Sequence, residues 1–390
     1  FDLIDDSESG ELESVPSSQF KTVVDACTLC DLCFMTKCPY VPPHEFNLDF
    51  PHLMLRARAA EAKERGISFV NNQLTQVDRN GSVAKWLSSI TNWLSDRNNN
   101  FIRLILEKIF SIHHDAALPK FSSDTFLEQS KEIMDINEKA PAFGRKVLIF
   151  ATCFANYNNP GIGLSARRVL AKNGIETKVV YPRCCGMPQF EQGDIAAVAK
   201  AAETISAELR PWIERNYEVL ALIPSCALML KFEWPLILPE NKDVLLLSKV
   251  TRDITEYIVD IGKKEGLAPG LAPVKGGVTL HIACHARAQN MGQKGAEMLR
   301  LIPDTEVNVI ERCSGHGGTW GMFKENYEVA LKVGRPAARK ASELNNLHII
   351  SECPLAREHL LQGVENHSSE YKQFSSFQHP IELLSYSYGK

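Results

Sequence analysis

No run of 18 apolar residues occurs in this chain, so a helix crossing a bilayer is not expected. An excess of basic charge is also lacking. The 43 Lys and Arg stand against 47 Asp and Glu, a net charge of −4, and the pI is near 6.3. That balance excludes the positive field that gathers nucleic acid. Nothing resembles a signal peptide, so the expected setting is the reducing cytoplasm, where disulfides are rare. Eleven cysteines in 390 residues are too few for a disulfide scaffold. Their spacing is patterned, however, and patterned thiols in a reducing compartment read as metal ligands or redox groups. Position 1 is Phe rather than Met, which reads as processing or as part of a longer chain.

What is present is ordinary for a soluble globular protein, 44% apolar and 23% charged. The length predicts two to four domains. Residues 1–20 are acidic and Ser-rich and read as a loose leader. Leu53–Arg65 is rich in Leu, Arg, Ala, Glu and Lys, which favours a helix. Val83, Trp86, Leu87, Ile90, Trp93 and Leu94 recur on one helical face, and Phe101–Ile112 continues the helical pattern up to Pro119. Short apolar runs then alternate with helical stretches: strands at Val147–Ala151, Thr177–Val180 and Val219–Ile223, helices at Leu164–Lys172 and Ile195–Arg215. This alternation predicts parallel α/β units.

The same order returns with strands at Val278–Ala283, Val307–Ile310 and His348–Ser351 and helices at Lys294–Leu301 and Glu325–Leu344. Cys153 corresponds to Cys284, and Arg183-Cys184-Cys185-Gly186 to Arg312-Cys313-Ser314-Gly315. Cys226 corresponds to Cys353, and the three offsets are 131, 129 and 127 residues. Landmarks this close to one period indicate internal duplication.

Cys27, Cys30 and Cys33 are separated by two-residue gaps, and Cys38 precedes Pro39. Such gaps put three thiolates on one tight turn, where they can cap a face of a [4Fe–4S] cluster. In bacterial ferredoxins the Cys before Pro serves the other cluster of a pair. The last gap here is four residues rather than three. A structural zinc site is the alternative, though consecutive two-residue gaps with Cys-Pro are unusual for it. One cluster held by all four cysteines and two clusters completed by an upstream segment are both compatible with the spacing; the Cys-Pro precedent favours two.

In each α/β repeat a cysteine or pair follows each strand: Cys153, Cys184 with Cys185, and Cys226, then Cys284, Cys313 and Cys353. Ligands gather beyond the carboxyl ends of parallel strands, so each set is expected to converge, as cluster ligands or as a dithiol centre. Taken singly, any of these is as readily a small buried hydrophobe. His281 and His285 flank Cys284, and His316 follows Cys313 before Gly317-Gly318. These histidines read as a ligand or proton source, or as ordinary hydrogen-bonded side chains. The Trp86/Trp93 stripe is expected to pack on a neighbouring domain, with a membrane surface as the alternative.

Together, the run ending in Cys38-Pro39, the helical connector and the duplicated Cys-Cys-Gly units resemble the cysteine-rich (CCG-domain) iron–sulfur oxidoreductases. That family includes subunits of anaerobic glycerol-3-phosphate dehydrogenase and heterodisulfide reductase. The resemblance covers about residues 20–385, and Cys284-His285, Cys313–Gly321 and His379-Pro380 resemble the glycerol-3-phosphate dehydrogenase branch of the family most closely. It implies an α+β multidomain fold. An α-helical ferredoxin-like Fe–S domain (1–75) precedes a helical connector (76–143) and two duplicated α/β cysteine-rich domains with parallel sheets (144–270 and 271–390).

It further implies one or two [4Fe–4S] clusters at the amino end and a further Fe–S cluster in the first cysteine-rich domain. The fullest family members end each domain in Cys-x-x-Cys, whereas Met229 and Ala356 stand at the second positions here, and Ser314 replaces a Cys. These losses weigh against a disulfide-cleaving cluster and place any retained chemistry in the first domain. The implied function is single-electron transfer from a flavin dehydrogenase or other redox partner to an acceptor such as quinone. The implied location is cytoplasmic, with a peripheral site on the inner face of the membrane as an extension. A thiol/disulfide reductase using the first cysteine-rich domain is the alternative.

Overall fold

The computed structural model describes residues 2–33, 38–41, 44–366 and 374–389. Positions 34–37 of the cysteine run and the Pro pair at 42–43 lie outside the described residues. The amino end is helical. Phe20–Ala26 precedes the cysteine run, and Phe50–Arg65 follows it. The longer helix starts where the Asp49 side chain accepts from the His52 N–H at 3.2 Å, and it stops at Gly66, at φ 74°. The described part of the expected leader is not loose throughout: Leu12–Ser14 and Ser17–Gln19 form short turns of 3₁₀ helix, and Val15 is buried.

Two parallel sheets follow, as the alternation predicts. The first has the order β2-β1-β3-β4, with β1 (Lys146–Phe150), β2 (Glu176–Val180), β3 (Glu218–Ala221) and β4 (Thr251–Asp253). The second has the order β6-β5-β7, with β5 (Val278–His281), β6 (Val307–Ile310) and β7 (His348–Ser351). In each, the first strand lies between the next two, Lys146↔Glu176 and Val147↔Glu218 in one, Val278↔Val307 and Val278↔His348 in the other. The duplication read from the cysteine offsets is thus a duplication of topology. The short β4 has no counterpart among the described residues.

Side chains alternate across a strand, and both faces of β1 are covered, as parallel sheets require. Val147 and Ile149 join a core that continues into the second sheet through Val278, Leu280 and Ile350 and includes Ile381 and Leu384 near the carboxyl end. Leu148 and Phe150 join the opposite core, with Cys184, Cys185, Cys226 and Trp234 and with Val24, Leu29 and Met54 of the amino-terminal segment.

The connector departs from expectation in two ways. The single helical face from Val83 to Leu94 is divided at Leu87 into Val77–Trp86 and Ser88–Ser95. Its aromatic stripe does not pack on a neighbouring domain: Trp86 is 82% exposed, Trp93 60%, and Phe101 on the next helix, Asn100–Phe110, 76%. The inner side is firmly tied. Buried Arg103 donates to the carbonyls of Ala116, His114 and His113 at 2.7, 2.8 and 3.0 Å. Ile112 pairs antiparallel with Phe323, in the loop after Cys313.

Candidate metal centre

In the first sheet the chain leaves β1 through Thr152, which is fully buried at φ 42°. For a β-branched residue this is a strained backbone. Its side chain accepts from the Ala155 N–H at 3.3 Å and starts the short helix that opens with Cys153. Beyond β2, Cys184 and Cys185 are buried, and Gly186 at φ 90° makes the turn that follows them. The indole N–H of Trp234 donates to the Cys185 carbonyl at 3.2 Å. Beyond β3, Pro224–Leu228 carries Cys226 and runs into a π-helical turn, Met229–Glu233.

These elements bring the four thiols to the same end of the sheet as two pairs. Sγ of Cys153 and Sγ of Cys184 lie 3.9 Å apart, and those of Cys185 and Cys226 3.3 Å. Hydrogen bonding with Cys153 and then Cys185 holds Cys184 well below the usual thiol range. Hydrogen bonding to Cys184, then burial, pushes Cys153 up; Cys185 is raised by hydrogen bonds with Cys184 and Cys226. Four sulfurs gathered beyond one sheet, three of them buried, are a donor set that fits an iron–sulfur group.

The second sheet repeats the placement with fewer donors. Cys284 opens a helix after β5 behind Ala283 at φ −66°, without the strain seen at Thr152. Cys313 follows β6, where its sulfur accepts from the Gly315 N–H at 3.3 Å. Cys353 follows β7 and donates its N–H to Ser351 Oγ at 3.2 Å. Burial, then the neighbouring Cys30, Cys353 and Cys313, raises the Cys284 thiol well above its usual range. Ser314 is buried where a second Cys would stand. His281 is a satisfied core histidine: its ring nitrogens meet Ser351 Oγ at 2.9 Å and the Arg312 carbonyl at 3.0 Å, and burial lowers it to about 4. Burial also takes His316 down to about 3, with His359 and His285 adding to the shift; it is neutral at pH 7, with ring nitrogen available as a donor.

Both sets open on one cavity of about 470 Å³. Its walls carry Cys153, Cys184, Cys185 and Cys226 from one side and Cys284, Cys313 and Cys353 from the other. Cys30 reaches it from the amino-terminal run, and Leu74 with Val77, Leu118 and Phe121 of the connector lines another wall. This approach of Cys30 to the second domain carries no signal in the sequence.

The run itself winds through left-handed conformations at Leu29 (φ 48°) and Asp31 (φ 56°), a curling of the backbone that favours the N–H concavities used at iron–sulfur sites. Arg58 fixes its start, donating to the carbonyls of Val24 and Cys27 and, at 2.8 Å, to that of Glu191. Burial raises the Cys27 thiol. Cys33 is exposed, and the Cys38 N–H donates to the Cys33 carbonyl at 2.9 Å. The curled run carries thiols of the kind that iron–sulfur clusters take as ligands.

Sequence reasoning missed two groups near these thiols. His52 bridges Glu233 at 2.9 Å and Asp49 at 2.7 Å. The hydrogen bond to Glu233 is the main cause of a rise to about 9 for His52, while burial and then Glu233 push Asp31 to about 7. Asp78 on the connector reaches Tyr181 and Cys184. Glu107, His113 and His114 also stand close enough to hold an ion. There the Glu107 oxygens are engaged by Lys324 at 2.8 Å and His114 at 2.6 Å, an arrangement complete without a metal.

Residues 147–231 and 278–357 each match the family described as the cysteine-rich domain, CCG. The chain is 28% identical over 338 residues to a subunit of the anaerobic glycerol-3-phosphate dehydrogenase of Escherichia coli K12, covering 85% of this chain and 80% of that protein. It is 29% identical over 188 residues to lactate utilization protein A of Bacillus pumilus, covering 45% and 75%. A subunit of the dihydromethanophenazine:CoB–CoM heterodisulfide reductase of Methanosarcina acetivorans is 26% identical over 227 residues, covering 56% and 54%.

Proposed function

From its two cysteine-rich domain matches and its likeness to iron–sulfur oxidoreductase subunits, we propose that this chain is an electron-transfer subunit of that kind. It takes electrons from a flavin dehydrogenase partner and passes them to an acceptor such as quinone. Cys27, Cys30 and Cys33, with Cys38, hold [4Fe–4S] chemistry at the amino end, and Cys153, Cys184, Cys185 and Cys226 hold a further Fe–S group. Such clusters, when bound, accept and release single electrons. The carrying observation is the single cavity walled by thiols from three separate segments. Its apolar wall of Val77, Leu118 and Phe121 suits a flat apolar acceptor.

No helix among the described residues is long and apolar enough to cross a membrane. The exposed Trp86, Trp93 and Phe101 support a cytoplasmic protein resting on the inner face of the membrane, where aromatic and aliphatic side chains enter the headgroup layer.

Iron and acid-labile sulfide in anaerobically purified protein, with EPR of the reduced form, test the assignment. We expect Cys27→Ser with Cys30→Ser to remove one signal and Cys184→Ser another. Zinc in place of iron, or colourless protein, would overturn it. A thiol/disulfide reductase is the second reading, favoured by the 3.3 Å approach of Cys185 to Cys226. On that reading Cys184→Ser abolishes disulfide reduction, whereas the electron-carrier reading expects flow from the amino-terminal cluster to an acceptor to survive.

A further inference from the structure

The helix Val77–Trp86 carries Asp78 in its first turn, where a carboxylate commonly serves its own helix. Here both oxygens leave the helix for the first cysteine-rich domain. Oδ1 accepts the Tyr181 hydroxyl at 2.5 Å, and Oδ2 accepts the Cys184 N–H at 2.9 Å. The contact is built for closeness. A Cβ on Gly81 would lie 2.5 Å from the Tyr157 ring, and Ser82 Oγ meets Tyr157 Oη at 3.3 Å. Tyr157 in turn meets the Tyr181 ring edge-on, with centroids 5.7 Å apart.

The duplicated half lacks this device. At the offset of 129 residues Tyr181 becomes Ile310, a buried aliphatic without a hydroxyl. The hook therefore accompanies the domain that kept its Cys-Cys pair. We propose that Asp78 is a positioning residue for the first cysteine-rich domain, a fixed carboxylate that pins Cys184 and lowers the reduction potential of the group its thiols hold. Negative charge beside a redox centre favours the oxidised state, and charge and hydrogen bonding are the main levers on such potentials. The Tyr181 hydroxyl tempers that charge by donating to it.

This rests on the reading of these thiols as an Fe–S site, and the test separates the two. The full chain, purified anaerobically, is titrated while following the EPR signal that Cys184→Ser removes. Asp78→Asn is expected to raise the midpoint potential with iron retained. Tyr181→Phe, which leaves the carboxylate uncompensated, is expected to lower it. Shifts of the same sign, or no shift with Asp78→Asn, overturn the proposal. If Asp78→Asn loses iron, Asp78→Glu is expected to regain it, and failure to do so also overturns the proposal. A wild-type chain without iron on these thiols sinks the parent reading instead. The same opposite shifts are then expected in the thiol–disulfide potential of the four cysteines, and their absence overturns the proposal.

Discussion

Thr152, fully buried and held at φ 42°, has as its counterpart Ala283, relaxed at φ −66°. Backbone strain of this kind costs about 1–3 kcal/mol and persists where the surroundings enforce it, here beside the fuller set of thiols. The second domain places its constraint elsewhere. Gly315 sits at φ 83°, and a Cβ there would lie 2.0 Å from the Ala330 carbonyl. Gly266, at φ 90°, faces open space. Gly315→Ala is therefore expected to destabilise by about 1 kcal/mol or more beyond Gly266→Ala, measured by paired thermal melts; equal melts would deny the close approach. The cysteines were legible because thiol spacing is a local signal. The bond from Cys184 to Asp78 spans 106 positions, and no local pattern announces it.

Strands were the most legible elements. The bounds expected for β6 and β7 are those observed, because short β-branched runs between turns admit little else. The three-residue β4 is too short to carry a period. The break at Leu87 was hidden for the opposite reason: apolar spacing continues across it, and only the backbone leaves helical geometry, at φ −115°. With two short helices in place of one, Trp86 and Trp93 face solvent. Replacing both with Ser is expected to reduce co-sedimentation with anionic phospholipid vesicles severalfold. Stability should change by no more than about 0.5 kcal/mol, as for exposed sites. Lost stability with unchanged vesicle binding would return these rings to a packing role.

Across the whole molecule, His52 joins the amino-terminal helix to the π-turn of the first domain through Glu233. Its pKa is raised from 6.5 to about 9 in the fold. The stabilisation is complete below 6.5 and is lost as pH rises through about 9. Hydrogen exchange in residues 50–65 is thus expected to quicken from pH 7 to 10 beyond its intrinsic rise, and His52→Gln to remove that excess. An excess that persists in His52→Gln would assign the linkage to another group. The core through Val147, Ile149, Val278 and Leu280 is shared by both sheets, so swinging them apart would flood it with water. The cleft is a vault with welded sides. The connector gives that vault Val77, Leu118 and Phe121 as part of its wall and gives Cys184 the carboxylate of Asp78, so cutting or stiffening that stretch would reshape the chamber and disturb the thiols together.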